Sequence, residues 1–508
     1  MIKETVRDHR IVSPIILQDI IFSFIICFIT TCVFVFLDSK LIHGCIIPVF
    51  LCGVIIGVDA MRWFRGGVDT FDPKGIIGMF GLNFFFLAPL LTVYYNTDIK
   101  LGGGPPDWRP WIGIMGWLNL AGIILYQISQ RFAFKHICAA KKYWVPIPGK
   151  SLLILWASVF ICIVCWFIFM AKMGGIAGIV EEQLYRVGSK GGLGFARMFA
   201  TATMPLFLMA ITLHRQSNTR VSLINVGVLL LICAVVQFVA SGFSGSRRII
   251  MYPIVWAVGI VHYYWRDLSS KLLLLAMVPM LAFAFIYGLY KAGGERFIDI
   301  FRGGITLSEL VGSTNESFAG VLVGDISRAD IQAWMIYKWK TSREDYDLRY
   351  GETYLEAPVT LRPRWLFPGK AQGSEKVRAA SEFVHGKGYF DPSRNRFVGK
   401  VYGLGGEAIL NFGIWAIPFP FAFWGFCIGY LRRKWISWPA DDSRLLIMPF
   451  LTILVLLTLL SDSDNCWNSI IGHLIVPAFV VFLISFKGYF VSESWSESQV
   501  MGDYVTNI

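Results

Sequence analysis

Clusters of Arg and Lys occur at three places outside the long apolar stretches of the chain. They occur in SGSRR at 244–248, in a Gly-rich stretch at 174–197 and in LRPRWLFPGK at 361–370. A guanidinium group can hold two oxygens of a phosphate in a bidentate fork, so these positions suit an anionic lipid head group or a pyrophosphate. For any single cation, the alternative is a solvated charge or one that snorkels to the membrane surface. The cationic candidates are Arg186, Arg247, Arg248, Arg362, Arg364 and Lys370.

One carboxylate stands near the start of an apolar run, in VYGLGGEAILNFG at 401–413. On a helix, Glu407 and Asn411 are four residues apart and share a face. A carboxylate beside arginines could accept a proton from a hydroxyl group as a general base. The alternative is a structural ion pair with one of those arginines. His385 is the second candidate base, although a lone histidine in a polar segment is more often a surface residue, and His473 is the third.

Long apolar helices must position these residues. The 508-residue chain is 55% hydrophobic and 16% charged, with a mean hydropathy of +0.58, which excludes a disordered chain and an ordinary soluble enzyme. Apolar runs of about 20 residues recur along it, and a helix of that length crosses the hydrocarbon core of a bilayer. We predict an all-α polytopic membrane protein with about twelve transmembrane helices, at 14–37, 41–60, 75–95, 111–130, 151–171, 196–213, 221–241, 249–264, 271–290, 402–430, 445–461 and 468–486.

The distribution of Lys and Arg among the loops predicts the orientation of these helices. With the N-terminus inside, the inside loops carry the larger share of both residues, so we expect both termini in the cytoplasm. The formal net charge of +12 is then a signature of topology and requires no nucleic-acid partner. In this orientation the cationic candidates and Glu407 share the exoplasmic face.

A long polar segment at 292–401 separates the ninth and tenth predicted spans. It is rich in charge, and it contains aromatic residues such as Trp334 and Tyr337 that a flexible linker would not need. We expect short helices in an exoplasmic loop domain packed over the mouth of the bundle, with a purely decorative outer domain as the alternative. The predicted organisation is transmembrane helices 1–9 at 1–291, the loop domain at 292–401, transmembrane helices 10–12 at 402–487 and a cytoplasmic tail at 488–508.

The sequence contains no motif of a soluble enzyme. Its seven histidines lack the spacing of metal ligands, so no metal site is predicted. Asp72-Pro73 is typical of a helix N-cap followed by Pro at the first helical position, and it predicts a helix start with a structural role.

Several short motifs follow one another along the chain. They are FDP before the third span, GGIAG followed by an Arg, GSR at an outer helix start, SRAD at 327–330, YGETYL at 350–355, LRPRWLFPGK and GEAILNFG. In this order they resemble the Wzy-type polymerases of oligosaccharide repeat units, which act in O-antigen, capsular and exopolysaccharide assembly. The motifs cover residues 70–430, and the twelve predicted spans and the long outer segment are further features of the resemblance. The sequence departs from the family pattern at Gly369, near which a proline–lysine pair is common, and at Arg362.

The resemblance implies a membrane glycosyltransferase with a GT-C-like fold, a class shared with O-antigen ligases and peptidoglycan polymerases. A glycan carried on undecaprenyl pyrophosphate would be transferred to a sugar hydroxyl of a second lipid-linked repeat, with release of undecaprenyl pyrophosphate. The reaction would take place on the periplasmic side of the bacterial inner membrane. Because the donor is lipid-linked, no cofactor and no metal ion are expected.

The resemblance also implies roles for individual residues. Arg247, Arg364 and Arg186 would bind the pyrophosphate and neutralise the charge of the leaving group. Arg328 of the SRAD motif is a further substrate-binding candidate. Glu407, or the runner-up histidine of the loop domain, would help to deprotonate the acceptor. The implied partners are undecaprenyl-pyrophosphate-linked glycans, membrane lipid, a chain-length regulator (co-polymerase) and a flippase.

Three other functions stay open at this point. A lipid-linked-oligosaccharide flippase or transporter would need polar residues along a path at the membrane midplane. In this sequence the predicted midspan regions carry few ionisable groups, and polarity gathers at one face. An O-antigen ligase is the nearest enzymatic alternative, and a non-catalytic membrane scaffold is the third.

Overall fold

A computed structural model of the chain describes residues 13–96, 103–135, 142–147, 149–175, 178–179, 194–215, 221–241, 247–314, 320–359, 375–394 and 396–489. Most of these residues are helical. In chain order the helices are α1 (Leu17–Leu37), α2 (Ile46–Phe64), α3 (Pro73–Tyr95), α4 (Arg109–Phe134), α5 (Lys150–Met173), α6 (Gly194–His214), α7 (Leu223–Ser241), α8 (Arg247–Tyr264), α9 (Ser270–Gly293), α10 (Glu295–Phe301), α11 (Leu307–Thr314), α12 (Ala329–Thr341), α13 (Glu352–Glu356), α14 (Glu375–His385), α15 (Gly403–Phe412), α16 (Pro418–Ser437), α17 (Met448–Leu460) and α18 (Ser463–Ile484).

Nine of the helices in the described ranges are long and apolar enough to cross a bilayer: α1 to α6, α9, α16 with the turn before it, and α18. The chain is therefore an all-α polytopic membrane protein, as its composition predicts. Three further predicted spans correspond to α7 and α17, which are apolar but shorter, and to α8, whose first two residues are Arg247 and Arg248. The count of twelve spans stays a prediction.

Small residues let the membrane helices approach each other closely. Gly425 and Gly429 of α16 face the backbone carbonyls of Tyr126 and Gln130 on α4, and a Cβ atom at either glycine would overlap them. Two glycines four residues apart are a recurrent helix–helix contact in membranes. These glycines therefore hold α4 and α16 in close contact.

The tenth predicted span, 402–430, is not one continuous helix. Gly413 has φ 84° and ψ 179°, a conformation that essentially only glycine adopts, and the helix breaks there. The ring of Trp339 lies 2.9 Å from the position that a Cβ atom of Gly413 would take. Consequently Glu407 lies on the separate short helix α15, before the span of α16 and outside it.

Part of the predicted loop domain enters the bundle. Its short helices are present, but a re-entrant segment at 320–341, which includes α12, is packed against membrane helices. The Asn83 side chain of α3 donates a hydrogen bond to the Leu322 carbonyl at 3.1 Å. Gln332 exchanges two amide hydrogen bonds with Asn119, which lies about 15 Å along α4 from its first residue. Irregular backbone at this depth is tolerated because protein surrounds it.

A small β-ribbon closes the opposite end of the bundle. Strand β1 (Lys142–Pro146) pairs antiparallel with β2 (Ser485–Tyr489), with Lys142 opposite Tyr489 and Pro146 opposite Ser485. The sequence predicted neither strand, and the last helix ends at Ile484, two residues before the predicted limit. We call this end the ribbon side, and the end that carries residues 292–401 the loop side.

Buried ion pairs tie the helices together at the ribbon side. Asp72 caps α3 with Pro73 at the first helical position, as predicted. The same carboxylate accepts two hydrogen bonds from Arg432 of α16, each 2.6 Å long, and both side chains are almost fully buried. The Lys74 ammonium lies 3.2 Å from Asp59 of α2. Removal of one partner would leave a buried charge unpaired, so these pairs lock α2, α3 and α16 into one arrangement.

Candidate functional site

Glu407 is the centre of a buried hydrogen-bond network at the loop side. Its carboxylate accepts hydrogen bonds from the Thr353 hydroxyl at 2.8 Å, the Ser463 hydroxyl at 2.6 Å and the Ser463 backbone amide at 2.7 Å. The predicted partner Asn411 belongs to the same network, since its amide donates to the Thr353 hydroxyl at 2.7 Å. Asn411 Oδ1 in turn accepts from the Gly351 amide at 3.0 Å. The partners of the Glu407 carboxylate are therefore hydroxyl and amide groups on two distant segments, α13 and the start of α18.

A second carboxylate, Asp462, lies next to this network. Its Oδ1 accepts hydrogen bonds from the backbone amides of Tyr402 and Gly403, at 2.8 and 2.9 Å. Its Oδ2 forms an ion pair with Lys376 of α14, and both charged groups are buried. Asp462 therefore joins the start of α15, the start of α18 and the loop helix α14.

The surroundings of Glu407 disfavour its ionised form. Burial raises the pKa of this carboxyl above its usual value, and the negative charge of Asp462 raises it further. The hydrogen bonds from Ser463 and Thr353 act in the opposite direction without cancelling the effect. Since α15 lies before the span, this proton equilibrium belongs to the loop side of the protein.

Two of the predicted arginines, from distant parts of the chain, lie near the same tyrosine side chain. Arg248, the second residue of α8, is exposed, and its Nη1 donates to Asn465 Oδ1 at 3.0 Å. Arg328 precedes α12 and donates from Nη1 to the Gly324 carbonyl at 2.5 Å. Both guanidinium groups lie within electrostatic range of Tyr252 on α8. The structure thus places candidates from the SGSRR cluster and the SRAD motif, 80 residues apart in the sequence, near one side chain.

Arg328 also has an unusual backbone. Its φ of 65° and ψ of 14° place it in the left-handed region, which costs a non-glycine residue of order 1–3 kcal/mol. Conformations of this kind persist where the surrounding structure holds them, and they cluster at ligand sites. This outlier supports a binding role for the turn at the start of α12.

His473 lies close to the arginine pair, in the loop-side half of α18. It belongs to a π-helical turn at Ile470–Leu474, a rare irregularity that is frequent at functional sites. Its ring packs near Tyr252 and Phe450, with ring centroids 5.8 and 6.1 Å away. Its Nδ1 atom is buried without a hydrogen-bond partner. The third-ranked base thus lies beside the arginines.

His385 occupies a different environment. It is the exposed last residue of α14, and its ring stacks on Tyr389 with centroids 4.1 Å apart. Partial burial lowers the pKa of its imidazole, with a smaller contribution from the Lys338 ammonium. The stacking on a neighbouring ring is typical of a surface histidine.

The remaining predicted cations are divided between the described and undescribed parts of the chain. Arg247 is the half-buried first residue of α8, directly before Arg248. The other four lie outside the described residues: Arg186, Arg362, Arg364 and Lys370. Among the described residues, no group of three His, Cys, Asp or Glu side chains is arranged to hold a metal ion.

Sequence reasoning did not single out four residues that form contacts in the site: Ser463, Asn465, Thr353 and Lys376. Each forms its contact with a residue that is distant in the chain, so no local motif reveals it. The one available signal was DSDN at 462–465, a run of capping residues at the start of the last apolar stretch.

Comparisons of the chain with protein-family models, with curated proteins and with solved structures gave no match.

Proposed function

We propose that the protein polymerises lipid-linked oligosaccharide repeat units. It would transfer a glycan from one undecaprenyl pyrophosphate carrier to a sugar hydroxyl of a second lipid-linked repeat, at the outer face of the bacterial inner membrane. The observation that carries the proposal is that Arg248 and Arg328 both lie within electrostatic range of the same side chain, Tyr252. Within the described part of the chain, the hydrogen bonds of both guanidinium groups go to uncharged oxygens, which leaves their charge to an anionic group. A departing pyrophosphate develops the negative charge that such a pair neutralises.

The position of this pair in the bundle also supports the proposal. Arg328 begins the re-entrant helix α12, which is packed against the membrane helix α4 through Gln332 and Asn119. A lipid-linked donor presents its pyrophosphate close to the membrane and its chain within the bilayer. A cationic site that is built partly from a re-entrant segment suits such a substrate better than one on a detached outer domain would.

The remaining predictions form part of the same proposal. The GT-C-like fold, the twelve spans and both termini in the cytoplasm belong to it. So do Arg186, Arg247, Arg362, Arg364 and Lys370 as further cations for the lipid-linked substrates. A chain-length regulator and a flippase are the proposed partners.

The test is glycan elongation by the purified protein in lipid nanodiscs with lipid-linked repeat units as the sole substrate. We expect a ladder of products from the wild-type protein. R248A and R328A should each reduce the rate about 100-fold, a loss typical of removing one group that stabilises transition-state charge. R302A is the matched control, because the Arg302 side chain is 74% exposed and its ion pair with Asp299 of α10 is long, at 3.7 Å.

Three outcomes would contradict the proposal. Normal ladders from both R248A and R328A would remove the arginine pair from the reaction. Transfer only after addition of lipid A core would identify a ligase. Passage of the lipid-linked repeat across the membrane without any elongation would identify a flippase.

A further inference from the structure

Three hydrogen-bond donors enclose the carboxylate of Glu407. Oε1 accepts the hydroxyl groups of Thr353 and Ser463, and Oε2 accepts the Ser463 amide. The residue is 2% exposed. A general base must lie within hydrogen-bond reach of the hydroxyl that it deprotonates. In this arrangement, no face of the carboxylate is open to a sugar hydroxyl, so its contacts indicate a different role.

These contacts fix the first turn of α18. Ser463 is the first residue of that helix, and its amide is one of those that lack a partner within the helix. Glu407 supplies this partner and also binds the Ser463 side chain. On the other side, Asp462 is held by the amides of Tyr402 and Gly403 and by Lys376. Two buried carboxylates therefore determine where α18 begins.

The same turn holds the arginine of the proposed site. Asn465 lies two residues after Ser463, and its Oδ1 accepts the hydrogen bond from Arg248 Nη1 at 3.0 Å. We infer that Glu407 is a positioning residue, which fixes the start of α18 so that Asn465 holds the Arg248 guanidinium in place. The inference rests on the anion-binding role proposed for Arg248.

The network also connects the loop segment to this arginine. Thr353 of α13 binds Glu407, and the preceding Gly351 binds Asn411. The backbone amide of Tyr350 donates a hydrogen bond to the Asn411 carbonyl at 3.0 Å. A displacement of the turn before α13 would therefore be transmitted through Glu407 to Ser463 and from there to Arg248.

The position of Arg248 can be measured without substrate. Phenylglyoxal modifies accessible guanidinium groups, and mass spectrometry with peptide fragmentation gives the rate at Arg248 separately from its neighbour. We expect N465A, which removes the direct contact, to raise the rate at Arg248 several-fold. E407A should raise it to a similar extent, and the double variant should be no faster than N465A alone.

The experiment needs variants that separate positioning from unfolding. E407Q keeps the volume of the side chain but turns a donor toward the Ser463 donors, so it should also raise the rate. E309Q is the matched control, because Glu309 is an exposed carboxylate on α11 and its loss should leave the rate unchanged. In every variant the rate at the exposed Arg302 should equal that of the wild type. A wild-type rate at Arg248 in E407A and E407Q, or in N465A, would overturn the inference.

Binding of undecaprenyl pyrophosphate to the same samples separates this inference from the proposed function. We expect the wild-type protein to bind the lipid, and R248A and E407Q to bind it more weakly. If the wild-type protein does not bind it, the proposed function fails. The modification rates still decide whether Glu407 positions Arg248.

Discussion

At the scale of single residues, the loop-side site separates two kinds of polar group. Glu407 and Asn411 are buried and surrounded by hydrogen-bond partners, whereas Arg248 is exposed and donates to the amide oxygen of Asn465. A buried polar group that is fully hydrogen-bonded specifies one arrangement of its neighbours. A ligand can reach exposed cations that form few hydrogen bonds within the protein. The carboxylate therefore organises the site, and the arginines are its binding groups.

The raised pKa of Glu407 predicts a pH-dependent stability. Because the folded state binds the proton of this carboxyl more tightly than the unfolded state, its contribution is greatest at low pH. That contribution is lost as the pH rises from the usual glutamate value through the raised pKa. E407Q removes this protonation equilibrium. The melting temperature of E407Q minus that of the wild type should therefore increase as the pH rises from about 5 to about 8.

Differential scanning fluorimetry in detergent measures this difference. E309Q should differ from the wild type by a constant amount over the same range, because interactions with Thr306 lower the pKa of Glu309. A difference between E407Q and the wild type that does not change with pH would contradict the prediction.

At the scale of elements, the re-entrant segment is the feature that ties the loop to the bundle. Gln332 on α12 and Asn119 on α4 exchange two amide hydrogen bonds, at 3.3 and 2.9 Å, and both side chains are buried. Each amide satisfies the other, so the pair determines the depth at which α12 lies against α4. Removal of one amide leaves the other unsatisfied, which costs about 1–3 kcal/mol.

A double-mutant cycle tests this contact. Q332M and N119L should each lower the free energy of unfolding by about 1–3 kcal/mol, because each leaves a buried amide without its partner. The double variant should be more stable than the sum of the two losses predicts. Unfolding of the detergent-solubilised protein gives the three values. Strict additivity would show that the two amides do not depend on each other.

Sequence patterns predicted the membrane helices well and this insertion not at all. Hydropathy detects helices that face lipid, such as α1, whose large apolar side chains are exposed. The helix α12 is surrounded by protein, and Asp330 and Gln332 give it the composition of a polar surface helix. Its signal was limited to the aromatic residues Trp334 and Tyr337. Likewise, the break at Gly413 depends on the Trp339 ring that packs there, and it is invisible in an apolar run.

The site shows the same limit. Polar residues next to apolar stretches, such as Arg248, Glu407 and Asn411, were recognisable, as was Arg328 through the SRAD motif. Their grouping was not, because the contacts join α8, α12, α15 and α18 across the whole chain. Asn465 lies in the DSDN run of capping residues, but its contact with an arginine is visible only in the structure.

At the scale of the whole molecule, charge is organised differently at the two ends. At the ribbon side, Asp72 and Arg432 pair completely within the protein, as do Asp59 and Lys74. At the loop side, Arg248 and Arg328 are held by neutral oxygens beside a buried carboxylate network. The first arrangement stabilises the bundle, and the second suits an anionic ligand. Chemistry at one face is what a polymerase of lipid-linked units needs, whereas a transporter needs polar groups along its path.

The ratio of released undecaprenyl pyrophosphate to glycosidic bonds formed is the most direct test of the proposed polymerisation. Purified protein in nanodiscs would receive lipid-linked repeat units labelled in the glycan, and both elongated glycan and free undecaprenyl pyrophosphate would be quantified over time. We predict one undecaprenyl pyrophosphate released for each glycosidic bond formed, at rates that fall together in R248A and R328A. Bond formation without release of the lipid pyrophosphate, or no bond formation from these substrates, would contradict the account.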